Sequence, residues 1–169
     1  MAVHELGHII AAAFTGGTVT NVVLHPLAIS RTDVSPNPSP LITAWAGPIF
    51  GVLLPLFTWC LFRKFKIPGD YLVRFFAGFC LIANGAYIGI GSFENIGDAG
   101  DMMKNGSPAW LLWLFGVVTV PFGFLIWHRL GTKFGLGESD GKVDGWAVYA
   151  SLAMFTILFV ATFLTSPRF

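Results

Sequence analysis

Charge-free apolar runs alternate with short hydrophilic turns along this chain, and the run lengths set the expected architecture. Residues 41–62, 75–93, 108–128 and 145–167 contain no Asp, Glu, Lys or Arg. Each is about the 20 residues that a helix needs to cross a hydrocarbon core. A shorter run, 1–15, starts with the polar stretch "HELGH", continues as "IIAAAF" and meets Gly16 and Gly17, a helix stop. At about 1.5 Å per residue it spans roughly 22 Å, less than a bilayer core. It is therefore expected either to lie partly within protein or to belong to a helix with a further turn or two upstream. The next stretch, "TVTNVVLHPLAISRTDVSPNPSP", is β-branched and then rich in Pro and Ser. Residues 18–30 read as one or two short strands and 31–40 as a loop. The pattern predicts an all-α polytopic membrane protein: about four full transmembrane helices, a short N-terminal helix and a small β-type segment, in a single membrane-embedded domain over 1–169.

Composition sharpens this. The 169 residues are 54% hydrophobic and 11% charged, with mean hydropathy +0.70, against about 25% charged in an ordinary soluble domain. The net charge is +1, and the ten Lys and Arg are scattered, so there is no electrostatic footprint for nucleic acid. Cys60 and Cys80 lie inside apolar runs without CxxC spacing and read as small hydrophobes rather than redox or zinc residues. The first eight residues hold two His and a Glu where a secretory signal would begin its apolar core, so no cleavable leader is expected. Seven Lys and Arg fall on one face of the predicted bundle (Arg63, Lys64, Lys66, Arg74, Arg129, Lys133, Lys142) and three on the other (Arg31, Lys104, Arg168). The positive-inside rule assigns the face with seven to the cytoplasm.

The chemistry sits in "HELGH". Helical residues four apart share a face, so His4 and His8 can present two imidazoles to one ion, with Glu5 beside them. This is the H-E-x-x-H arrangement, in which two His hold zinc and the Glu is the general base. Zinc lowers the pKa of a bound water towards about 7, and Glu5 would take its proton as the water attacks a carbonyl. With four His and three Glu in the chain, chance would produce this motif in roughly one in several hundred such sequences. Ionisable residues leading straight into an apolar helix are costly at membrane depth and functional by default.

A catalytic zinc needs a third protein ligand and an open position. No third His follows at metzincin spacing, which leaves His25, His128, Glu94, Asp98, Asp101, Asp140 and Asp144. Two crossings after the HELGH helix the chain returns to the same face at residues 92–107, carrying "GSFENIGDAGDM". Gly89, Gly91, Gly97 and Gly100 suit an irregular backbone dipping towards the membrane there. Asp140 and Asp144 fall on the opposite face by this count.

HELGH opening an apolar helix, Gly-Gly, a β-type stretch, "AGPIFG" in the next span and an Asp motif beyond a later span together resemble the site-2 protease family of intramembrane zinc metalloproteases. The closest likeness is to its compact B-like branch, which lacks a PDZ domain. The resemblance covers the chain up to about residue 130. It implies Zn²⁺ held by His4, His8 and an Asp, and the Gly97-Asp98-Ala99 context ahead of a Trp-containing span carries that role to Asp98. Asp101 then becomes a partner of the ligand set or a residue favoured by a helix N-terminus. Asn84, in "ANGAYIG", matches by position a substrate-orienting Asn, with an interhelical hydrogen bond as its other reading. The resemblance also puts the segment after HExxH in the cytoplasm, opposite to the charge count.

The expected function is thus a membrane-embedded zinc metalloendopeptidase that hydrolyses peptide bonds in or near transmembrane segments of other membrane proteins, with residues 18–29 pairing with an unwound substrate strand. The alternative is a catalytically inactive membrane scaffold or binding protein that keeps the fold and tolerates loss of Glu5. A transporter would want charges inside several spans, and the four long runs contain none.

Overall fold

Each of the four charge-free runs is a helix in the computed structural model, which describes residues 1–137 and 143–166. In chain order the elements are α1 (Ala2–Thr15), β1 (Val19–Val23), β2 (Arg31–Val34), α2 (Pro40–Lys64), α3 (Asp70–Glu94), α4 (Gly97–Lys104), α5 (Ala109–Trp127) and α6 (Gly145–Thr165), with a 3₁₀ turn at Gly131–Phe134 before α6. Helices α2, α3, α5 and α6 are long and apolar enough to cross a membrane. α1 ends where expected, at Gly16 with φ 77°, and α2 starts with Pro40 in its first turn, where the missing N–H costs nothing.

Three details differ from the pattern reading. α3 begins before the charge-free run because Asp70 suits its positive N-terminal end and Arg74 donates to Ile126 O at 2.7 Å and His128 O at 2.9 Å, capping α5. Residues 31–34 form a strand rather than a loop: β2 pairs antiparallel with β1, Val23 opposite Arg31 and Val19 opposite Val34. The segment after α3 is mostly helical; Gly89 and Gly91 lie within α3, and only Asn95 and Ile96 separate it from α4.

The bundle is built on close helix contacts. α3 and α5 pack where Gly85 and Gly89, four residues apart, meet Gly116: a Cβ on Gly116 would stand 2.9 Å from Gly85 O and 3.3 Å from Gly89 Cα. Small residues at this spacing let two backbones approach where lipid offers no hydrophobic drive. α2 lies between α1 and α3, and Ala44, Ile88, Ala99, Met102 and Leu112 close the core between α2, α3, α4 and α5. α6 stands apart, with Ala147 as its only buried residue among those described. Its end is held where the Leu24 N–H donates to Ser166 Oγ at 2.8 Å and Phe163 lies 5.0 Å from the His25 ring.

Overfilling the α3–α5 seam tests this packing. Gly116→Val is expected to destabilise the bundle by about 1–3 kcal/mol, read as a lowered thermal midpoint in detergent, whereas Val117→Ala, on the exposed side of α5, should leave it unchanged.

Candidate metal centre

α1 places His4, Glu5 and His8 on its buried side, at 4%, 2% and 5% exposure. The helix period alone sets this face, and Gly7 allows α1 to lie directly on Ala46 of α2. The hydrogen bonds around the two imidazoles then fix which nitrogen carries a proton. Asn84 Nδ2 donates to Cys80 O at 2.8 Å, so its Oδ1 is the atom 2.7 Å from His4 Nδ1. An amide oxygen only accepts, so His4 Nδ1 is the N–H. His8 Nδ1 faces another pure acceptor, Thr43 O, at 2.7 Å. Both Nε2 lone pairs therefore point the other way, towards Asp98.

Asp98 comes to meet them from α4. Its Oδ2 is 2.7 Å from His4 Nε2 and 3.5 Å from His8 Nε2. Two devices hold it there. Gly97 sits at φ +55°, in the left-handed region, and a Cβ on it would collide with Tyr87 Oη. That same Tyr87 hydroxyl accepts the Asp98 N–H at 3.2 Å. Burial acts to raise the Asp98 carboxyl, but when the imidazoles carry a second proton on Nε2 their hydrogen bonds and charge outweigh it and hold the group well below the usual carboxylate range.

The donor set fits a metal. One atom each from His4, His8 and Asp98 lies within 4.8 Å of the others. Two imidazole lone pairs and a carboxylate facing one point repel unless a positive charge, a proton or a cation, sits among them. The space is reserved by sequence: a Cβ on Gly47 of α2 would fall on His8 Nε2 and Cε1 and lie 2.7 Å from His4 Nε2. Nitrogen and carboxylate donors, the imidazoles oriented by oxygen acceptors behind them, are the donor types that catalytic zinc sites use.

Glu5 faces the same cleft without touching the triad. Thr32 of β2 donates its hydroxyl to Glu5 Oε2 at 2.8 Å, so this short strand is what holds the carboxylate. The cleft, about 660 Å³, runs from His4, Glu5, His8 and Asp98 past residues of β2 to Asn37 and Asp101.

The other candidates lie elsewhere. Asp101 lines the cleft mouth, 60% exposed and 3.3 Å from Lys104 Nζ. His25 is buried against Phe163. His128 follows α5, and Glu94 is exposed at the end of α3. Asp144 caps α6 by accepting the Trp146 N–H, and Asp140 lies outside the described residues. Sequence reasoning missed Thr32, Thr43, Tyr87 and Gly47. Tyr87 and Gly47 had a signal, one helical turn after Asn84 and inside "AGPIFG"; Thr43 acts through a backbone oxygen, which no side-chain pattern marks.

Comparison with protein families matches residues 1–88 to the Peptidase M50B-like model. The match takes in His4, Glu5, His8, Gly47, Asn84 and Tyr87 and stops ten residues before Asp98. No curated protein and no solved structure matches the chain.

Asn84→Ala removes the acceptor that fixes the His4 tautomer. It is expected to weaken zinc binding by about 10–100-fold in chelator competition on the purified protein, with the helical content retained.

Proposed function

The chain belongs to the Peptidase M50B-like family, and from that membership and the geometry of its cleft we propose that it is a membrane-embedded zinc endopeptidase cutting peptide bonds in or near transmembrane segments of other proteins. It is an integral, multi-pass membrane protein with four spanning helices. The observation that carries the reading is the convergence of two tautomer-fixed imidazoles and the Asp98 carboxylate on one point of a cleft that also holds Glu5.

His4, His8 and Asp98 would hold the ion. Zinc bound there supplies a Lewis acid that acidifies water and polarises a carbonyl. Glu5 takes the proton from the attacking water as the new C–O bond forms, and returns it to the amide nitrogen as the C–N bond breaks. Thr32 keeps the Glu5 carboxylate aimed into the cleft with one hydrogen bond. Asn84 and the Thr43 carbonyl hold the imidazoles against rotation.

The substrate must be extended to be cut, because a helix hides its carbonyls in its own hydrogen bonds. β2 supports such a strand: it lines the cleft from Arg31 to Val34 and pairs with β1 along one edge. An unwound segment adding to its other edge would lie across the metal site, with main-chain hydrogen bonds giving affinity. The Ser30 hydroxyl, buried in the same wall with no partner among the described residues, is available to a substrate amide. This moves the pairing strand from residues 18–29 to β2.

Zinc content and cleavage of a membrane-inserted substrate, measured together, test the assignment. Glu5→Gln is expected to keep about one zinc per chain and lose about 10²–10⁴-fold in cleavage rate, while Asp98→Ala loses the zinc itself. A Glu5→Gln protein that cleaves at the wild-type rate would falsify the general-base role, and a folded wild type without zinc would make the chain a scaffold. For strand addition, Val34→Pro should retain zinc and slow cleavage about tenfold, the cost of a lost hydrogen bond or two, because Asp33 and Ser35 turn their backbone groups to β1 and Val34 between them turns its N–H to the free edge; an unchanged rate removes β2 from substrate binding.

A further inference from the structure

At the end of the bundle remote from the metal centre, three helix ends surround a second cavity of about 580 Å³, lined by Trp59 and Arg63 of α2, Asp70 and Arg74 of α3, and Leu125 and Ile126 of α5. Its chemistry has no part in hydrolysis. Both guanidiniums gather on one indole, Arg63 and Arg74 each 5.9 Å from the Trp59 ring centroid. Neither has an ion pair among the described residues. Arg74 is held through Nε by the Ile126 carbonyl of α5 and through Nη2 by that of His128 just beyond it, which leaves Nη1 and one Nη2 hydrogen uncommitted. Trp59 Nε1 is buried with no hydrogen-bond partner among the described residues, an N–H that lacks an acceptor. Asp70 offsets one of the two positive charges, so the cavity's side chains sum to one positive charge.

We propose that this cavity binds the phosphate headgroup of an anionic phospholipid from the leaflet on that side. Arg63 and Arg74 present forked donors to phosphate oxygens, and the Trp59 N–H gains an acceptor from the phosphate or an adjoining ester. Asp70 accepts from a headgroup hydroxyl. The position favours a lipid over a soluble phosphate: Leu125 is 68% exposed and Phe122, also in the wall, 46%. Both belong to a spanning helix and offer an acyl chain a continuous apolar track. Lys64, Lys66, Arg129 and Lys133 stand on the same face of the bundle, and basic cavities between spanning helices there suit anionic headgroups.

Native mass spectrometry and thermal melting of the full-length chain in detergent test this, with phosphatidylglycerol, phosphatidylcholine and inorganic phosphate as probes. Phosphatidylglycerol is expected to remain bound and raise the midpoint, with phosphatidylcholine and inorganic phosphate having little effect. Arg63→Gln, which breaks no side-chain hydrogen bond among the described residues, should weaken phosphatidylglycerol about tenfold or more with its lipid-free midpoint unchanged. Lys64→Gln, outside the cavity, should bind as wild type. Equal retention of the two lipids, undiminished binding by Arg63→Gln, or equal losses in Arg63→Gln and Lys64→Gln would each overturn the proposal, the last by assigning the effect to diffuse surface charge. Stabilisation by inorganic phosphate alone would overturn the lipid as occupant.

Discussion

Everything at the metal centre depends on two N–H donors, those of His4 Nδ1 and His8 Nδ1. Each is fixed by an oxygen that can only accept, Asn84 Oδ1 or the Thr43 carbonyl. An imidazole free to flip would present a nitrogen of either kind to the cleft, and the triad would lose its common focus. The two acceptors come from different helices, α3 and α2, so the tautomers hold only while the three helices stay in register. The geometry of the candidate metal site and bundle packing are here one constraint.

That constraint explains where the small residues lie. Gly7 puts α1 against α2, Gly47 leaves the room into which both imidazoles turn, and a Cβ on Gly51 would stand 2.6 Å from Asn84 Oδ1. Gly47 and Gly51, four residues apart in "AGPIFG", therefore give α2 a smooth face that admits His4, His8 and Asn84. In a bundle whose outer surface meets lipid, polar side chains of this kind persist only when each is satisfied from within. Glu5 meets the rule through Thr32 and the Asp98 carboxylate through the imidazoles, while the Asp98 N–H donates to the Tyr87 hydroxyl.

The long helices and the HELGH face were legible in the sequence because both are periodic: runs without charge have the length of a span, and a spacing of four residues puts two imidazoles on one side. Asp98 was one of seven alternatives in the residues; topology set Asp140 and Asp144 on the opposite face and drew attention to the returning segment that carries Glu94, Asp98 and Asp101, and the family resemblance chose among those. The reason is physical. Its placement depends on a left-handed Gly97 and on a tyrosine hydroxyl contributed by another helix, and neither leaves a local pattern. β2 escaped for a similar reason. "RTDV" is short and polar, and it becomes a strand because β1 pairs with it and because Thr32 finds Glu5. α4 is a helix of eight residues in a glycine-containing stretch, where propensity argues for a loop and packing of Ala99 and Met102 into the core decides otherwise.

α3 joins the two ends of this architecture. Arg74 near its start binds the α5 terminus beside the basic cavity, and Asn84 and Tyr87 further along hold His4 and the Asp98 backbone. Ten residues of helix separate Arg74 from Asn84, a rise of about 15 Å. Between them α3 is fixed to α5 by the close approach of Gly78 to Trp127 and of Gly123 to the Gly78 carbonyl and Leu81. A seam of backbone-level contacts cannot slide by fractions of a side chain; it stays or separates. α3 therefore ties two pieces of geometry to one seam: the guanidinium of Arg74 at the basic cavity and the acceptor of His4 are both positioned by how α3 lies on α5.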